Sequence, residues 1–282
     1  MKRITKLIAA IVCLALFLTA AAACGTANDT SGGSSVPDQG IQSPLPDEEQ
    51  TDGTEGENDN TDETEPTQTK AQYIRILTDG LNVRSKASTA SASLGQVDKG
   101  MSMIFLGKEN GFYKTYYRQN VAYVSAASQY SELHEMGAAS ETIERVIEEG
   151  TKIIGTPYVY GATRYHDGKG KKLSGFSLQK FDCSSLTQYI YYQGSGALLD
   201  LTTRTQIVQG VHVPKSELRR GDLMFFTNSS RYNNTGIERV GHVAVYLGEN
   251  LILHTASDYC KIEEISAQRW KYYIESRRVV HI

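Results

Sequence analysis

The chain has 282 residues, of which 40% are hydrophobic and 22% charged, with a formal net charge of −3. It holds four cysteines and six histidines but no Cys-x-x-Cys or His-Glu-x-x-His run, so no metal spacing is present. A metal, a cofactor and a nucleic-acid partner are not expected, and the chain is expected to be a monomer.

Residues 1–24 start with Lys2, Arg3 and Lys6, continue as an apolar run from Leu7 to Leu18, and end in small residues. This pattern is a secretory signal, too short to be a membrane span. Its ending, Ala21-Ala22-Ala23-Cys24-Gly25, resembles a bacterial lipoprotein cleavage site, which implies that Cys24 is lipidated and becomes the new N-terminus. Cleavage after Ala23 with a free cysteine is the alternative. Residues 25–69 contain twelve acidic residues and no lysine or arginine. So few apolar side chains cannot offset chain entropy, and the segment is expected to be a disordered acidic tether. From Lys70 onward 26 Lys and Arg face 20 Asp and Glu. That surplus suits an anionic polymer as surroundings, although a mixed solvated surface gives the same count.

Residues 71–131 alternate short apolar runs with turns. Tyr73–Ile76, Leu81–Arg84, Met103–Gly107, Tyr113–Tyr117 and Val121–Val124 predict about five strands in a small all-β barrel. The run Leu81-Asn82-Val83-Arg84-Ser85, the Gly95-Gln96-Val97 and Lys99-Gly100 pair, and Ala122-Tyr123-Val124-Ser125 resemble the bacterial SH3-like domain of cell-wall enzymes. Phe112 stands where that family usually has tryptophan. The resemblance implies wall binding, or help in shaping a neighbouring active site.

A second domain is expected over 139–282. Ser140 is a plausible N-cap before Glu141 and Glu144, and Ile143, Val146, Ile147, Ile153 and Ile154 follow helical spacing up to Gly155-Thr156-Pro157. Ser185 to Gln193 reads as a second helix. Leu223–Phe226, Val243–Leu247, Leu251–Leu253 and Arg278–Val280 read as strands. Helices first and antiparallel strands later predict an α+β domain.

With Cys13 and Cys24 in the leader, Cys183 and Cys260 remain. A buried apolar cysteine is the default reading of Cys183, and a Cys183–Cys260 bridge is a rival. At a helix start, however, unpaired amides favour thiolate and offer donors to an oxyanion. Gly248-Glu249-Asn250 predicts a hairpin turn. Pairing with residue numbers that sum to 496 sets His242 opposite His254, while a sum of 498 makes them diagonal on one face. His242 would then be the base and His254 its orienting partner. His166 and His212 are expected at the surface, and Cys260 at a strand end.

Four motifs, in order, resemble the NlpC family of bacterial cell-wall peptidases. They are Thr156-Pro157-Tyr158-Val159-Tyr160-Gly161, Phe181-Asp182-Cys183-Ser184-Ser185-Leu186, Arg220-Gly221-Asp222-Leu223-Met224-Phe225-Phe226 and Gly241-His242-Val243-Ala244-Val245-Tyr246-Leu247-Gly248. The resemblance implies a papain-like fold with Cys183 as nucleophile, His242 as base and His254 as orienting residue. It also implies that Tyr158, Asp182 and Ser184 line the substrate site. The expected activity is a lipid-anchored, wall-facing peptidase acting on peptidoglycan stem peptides, at the bond from γ-D-glutamate to the diamino acid. An N-acetylmuramoyl-L-alanine amidase and a silent wall-binding lipoprotein are the alternatives. The loops 162–180, rich in basic residues, and 227–240 depart from the family pattern. They are expected either to wall the groove or to be solvated without consequence.

Overall fold

The computed structural model describes residues 70–280. Cys24 and the acidic segment lie outside the described residues. The first region consists of β1 (Lys70–Ile76), β2 (Leu81–Arg84), β3 (Ser93–Val97), β4 (Met101–Ile104), β5 (Gly107–Glu109), β6 (Phe112–Tyr117), β7 (Asn120–Ser125) and β8 (Ser131–Gly137). Eight strands replace the five expected. The run 103–107 is divided between β4 and β5, and β8, with only two buried side chains in seven, has no alternating apolar pattern to reveal it.

The second region follows as α1 (Glu141–Lys152), α2 (Cys183–Ser195), α3 (Thr203–Gln206), β9 (Val211–Val213), β10 (Leu223–Phe226), β11 (His242–Gly248), β12 (Leu251–Ala256), β13 (Tyr259–Glu264), α4 (Ala267–Lys271) and β14 (Tyr273–Arg278). Helix α1 stops at Lys152, although Ile153 and Ile154 stay buried, and the Ser140 hydroxyl caps nothing. The last strand ends at Arg278 rather than beginning there, because Ser276 through Arg278 pair with the edge strand β9.

Strands β3-β2-β7-β6-β5 form one sheet. The other is continuous across both regions, in the order β8-β1-β4-β13-β12-β11-β10-β14-β9. Its seam is the antiparallel pair β4–β13, where Ile262 faces Ser102 and Glu263 faces Met101. One hydrophobic core follows the seam, joining Tyr73, Met103 and Tyr117 to Ile143, Leu186, Val243 and Leu253. The mixed helix and sheet architecture is the α+β class expected, with an all-strand region ahead of it.

Two close approaches set the frame around α2. Gly194 lies against α1, where an added Cβ would stand 2.4 Å from the backbone of Val146, so only glycine allows the two helices this near. Gly155 has φ +82° and an added Cβ would sit 2.2 Å from the Tyr117 ring. There the β6–β7 turn docks on the end of α1, with Arg118 N–H donating to the Ile154 carbonyl at 2.8 Å and Gln119 N–H to that of Lys152 at 2.6 Å. Those bonds hold Arg118 and Gln119 at positive φ, a strained region for non-glycine residues.

A buried ion pair ties the regions together. Arg220 donates to both carboxylate oxygens of Glu144 on α1 at 2.6 and 2.8 Å, to the Leu247 carbonyl at 2.8 Å and to the Tyr73 hydroxyl on β1 at 2.6 Å. Every partner comes from a different element, which is why the chain can keep a buried guanidinium there.

Candidate active site

The chain turns into α2 through a capping box. Asp182 is extended, its Oδ1 accepts the Ser185 N–H at 2.8 Å, and Ser185 Oγ accepts the Asp182 N–H at 2.9 Å. Cys183 is therefore the first helical residue. The N–H of Cys183 makes no hydrogen bond among the described residues, as the open end of a helix predicts, and the N–H of Ser184 is turned to the thiol.

The thiol is 8% exposed, and burial pushes it up to about 11, with the Asp182 carboxylate adding to the effect. The amides of Val243 and Ser184 and the Arg164 guanidinium pull the other way and lose. This corrects the expectation that the helix start would favour thiolate. Desolvation outweighs a partial charge at a helix terminus. Cys183 and Cys260 are both free thiols, and Cys260 is buried at the start of β13, one residue in from its end.

The β11–β12 hairpin turns at Glu249 and Asn250, both at positive φ. Val245 faces Leu253 and Tyr246 faces Ile252, the register that sums to 498, with a bulge before Gly248. His242 and His254 are thus diagonal on one face. Their rings meet at 79° with His242 Nε2 and His254 Nδ1 3.0 Å apart. His254 Nε2 lies 2.9 Å from Glu263 Oε1 on β13. Glu263 was missed in the sequence because its contact crosses to the next strand and depends on register.

Glu263 fixes the tautomers of both rings. Its carboxyl is pushed down to about 2, against the cost of burial, by His254, Lys261 and Arg269, so it is an acceptor at neutral pH. His254 must then carry its proton on Nε2 and accept at Nδ1, and His242 must donate from Nε2. This leaves the lone pair of His242 on Nδ1. Burial lowers both imidazoles, and His242, next to His254 and Arg269, lies well below the usual histidine range. Thiol and imidazole are both neutral at rest.

Two cavities flank the sulfur, and Cys183, Tyr158 and Gly241 line both. The larger, about 370 Å³, has His242, Phe226, Arg269 and Tyr272 in its wall. The smaller, about 170 Å³, has Asp182, Ser184, Arg164 and Arg204. Tyr158, Asp182 and Ser184 therefore line the cavities at the thiol. Burial, with Cys183 and Asp182 adding to it, pushes the Tyr158 phenol up to about 12 and keeps it neutral. The Asp182 carboxylate is fully occupied: Oδ2 accepts from Gly161 N–H at 3.1 Å and Arg164 Nη1 at 2.8 Å.

The two loops that depart from the family pattern wall these cavities. Arg164 reaches Ser184 Oγ at 2.8 Å as well as Asp182, and Thr227, Asn228, Arg231 and Val240 line one cavity or the other. His166 corrects another expectation. It is fully buried, packed on Tyr165 and Tyr192, with its Nδ1 accepting the Gly168 N–H at 3.0 Å. His212 is exposed on β9. Among the described residues no group of three or more His, Cys, Asp and Glu side chains could hold a metal ion.

Residues 155–279 match the NlpC/P60 family and residues 79–131 match the bacterial SH3 domain. The chain is 30% identical over 127 residues to a gamma-DL-glutamyl hydrolase of Bacillus subtilis, a match covering 45% of this chain and 26% of that one. It is 31% identical over 156 residues to the peptidoglycan DL-endopeptidase CwlO of Bacillus licheniformis, covering 54% and 31%. The chain thus spans about a third or less of the length of these two relatives. A crystal structure of an NlpC/P60 family protein from Bacillus cereus aligns over 75% of this chain and 64% of that one, with a TM-score of 0.41 and 21% identity.

Proposed function

We propose that this chain, which carries an NlpC/P60 domain at residues 155–279 and a bacterial SH3 domain at 79–131, is a cysteine endopeptidase of peptidoglycan stem peptides. The observation that carries the reading is the relay from Glu263 through His254 to His242 in the cavity of the Cys183 thiol. The bond proposed is that from γ-D-glutamate to the diamino acid, supported by the γ-glutamyl and DL-endopeptidase activities named for two relatives.

Cys183 is the nucleophile in this mechanism. His242 Nδ1 takes the thiol proton as sulfur adds to the carbonyl carbon. The charge that develops on the carbonyl oxygen is met by the free Cys183 N–H at the start of α2. His242 then returns the proton to the leaving nitrogen, the C–N bond breaks, and water resolves the thioester by the same route in reverse. His254 orients His242 and spreads its transient charge toward Glu263. A neutral resting pair suits this sequence, because proton transfer is coupled to attack instead of preceding it.

Tyr158 and Ser184 contact substrate in this reading, while Asp182, spent on its cap and on Arg164, holds Ser184 through its hydroxyl. The proposed organisation is a signal over 1–24, a tether over 25–70, the SH3-like region over 71–131 and the peptidase over 139–282. Lipid on Cys24 would keep the enzyme outside the cytoplasm, anchored to the membrane and facing the wall. Digestion of defined stem peptides by the purified full chain, analysed by mass, tests the activity. Release of a diamino-acid fragment with a free amine supports it. Cleavage after the muramoyl group instead, as by an amidase, or no cleavage at all would overturn it.

A further inference from the structure

The two cavities beside Cys183 differ in what their cations are doing. In the smaller one every arginine is engaged. Arg164 donates to Leu201 and Ala162 carbonyls, to Asp182 and to Ser184. Arg231 and Arg204 share Glu238 at 3.1 and 3.6 Å. The larger cavity contains a single charged lining residue, Arg269, and no carboxylate. Arg269 is 24% exposed and stands 5.8 Å from the Phe226 ring. One of its five N–H donors reaches Glu263 Oε1, at a long 3.3 Å, and the rest make no hydrogen bond among the described residues. A largely desolvated guanidinium with its fork unspent is a site for a planar anion.

The chemistry says which end of the substrate enters there. His242 must hand its proton to the leaving nitrogen, and His242 lines the larger cavity but not the smaller one. The acyl side of the scissile bond therefore lies toward Asp182 and Ser184, and the leaving segment lies toward Arg269.

We infer that Arg269 makes the larger cavity a carboxylate subsite, selecting substrates whose leaving diamino acid carries a free carboxylate. The inference rests on the peptidase reading. In a stem peptide this carboxylate has two sources: the free α-carboxylate of a terminal diamino acid, or the side-chain carboxylate of a diamino diacid. A charge-assisted bidentate pair in this setting contributes about 1.5–3 kcal/mol, roughly tenfold or more in affinity.

The test uses three ligands that share the L-alanyl-γ-D-glutamyl part. They end in lysine acid, lysine amide, or diaminopimelate amidated at its α-carboxyl but free at the side chain. Binding to the full-length Cys183→Ala protein is measured by calorimetry, and turnover by the parent is measured in parallel. At least one carboxylate ligand should bind roughly tenfold tighter than lysine amide, and which one it is identifies the source. Cys183→Ala with Arg269→Gln should bind all three alike, and Arg269→Lys should retain part of the preference. Equal binding of all three by Cys183→Ala, or a preference that survives Arg269→Gln, would overturn the subsite. A carboxylate preference in binding without turnover by the parent would instead sink the peptidase reading and leave the subsite standing.

Discussion

Glu263 and Met101 are register partners across the seam between β13 and β4, so the carboxylate that anchors the histidine relay sits on a strand held by the SH3-like region. The backbone of β13 is bonded on both sides, to β12 and to β4. A side chain that must meet His254 at 2.9 Å gains from that rigidity, because half an ångström of drift would weaken the bond. The SH3-like strands thereby take part in the geometry of the active site, apart from any binding of their own.

Replacing Glu263 by Gln keeps an oxygen that can accept from His254 but removes its charge. The loss of one charge-assisted bond is about 1–1.5 kcal/mol, and kcat should fall roughly tenfold with KM little changed. The same variant tests the titration. The Glu263 carboxyl ionises at about 2, below its ordinary 4.5, so its stabilisation is complete above 4.5 and is lost as pH falls toward 2. Urea midpoints of parent and Glu263→Gln should differ most at pH 6, and the gap should narrow steadily below pH 4.5 as pH falls toward 2. A constant gap between them would contradict the assignment.

Cys183 and His242 give opposite limbs to the pH dependence. The thiol lies near 11, so alkylation of the resting protein by iodoacetamide should be slow at pH 7 and climb through pH 9 and 10. The imidazole of His242 lies well below 6.5 and stays a free base in mild acid, placing the acid limb of kcat/KM below that value. A histidine depressed on folding stabilises the fold fully above 6.5 and progressively less below it, since the unfolded chain takes up the proton first. An alkylation rate already at its plateau at pH 7 would mean a resting thiolate and would refute the neutral pair.

Much of the site was legible in the sequence, and what was not follows from physics that acts across strands. Cys183, His242 and His254 stand in local motifs, and strand alternation alone puts both histidines on one face. The register between them depended on a bulge before Gly248, which residue counting cannot locate. Glu263, Arg269 and Arg164 come together with them only in three dimensions. The elevated thiol reflects its burial in the folded chain, which the helix start read along the sequence does not reveal. His166 has no partner in its local sequence that would reveal its burial, whereas its covering rings come from α2 and the preceding Tyr165.

His254→Ala should cost less activity than His242→Ala. The first removes the acceptor that orients His242 and leaves a free base in the cavity, while the second removes the proton carrier itself. Single-turnover rates on one stem peptide compare them directly. Equal activity of His242→Ala and the parent would remove His242 from the mechanism.

Arg220 provides the test of how the two regions are held. Its guanidinium is buried and satisfied by Glu144, Leu247 and Tyr73, three residues from three parts of the chain. Arg220→Ala leaves a partly buried Glu144 carboxylate and a buried Tyr73 hydroxyl without their donor, and breaking such a pair costs about 3 kcal/mol. Glu144 is held below its ordinary range chiefly by Arg220, against the pull of burial, so the variant should also let this carboxyl titrate higher. Urea unfolding at pH 7 should show the full loss for Arg220→Ala and a smaller one for Arg220→Ala with Glu144→Leu, in which the stranded charge is gone. Equal losses in the single and double variants would mean that the ion pair does not couple these elements, leaving the β4–β13 seam and the shared core to hold the regions together.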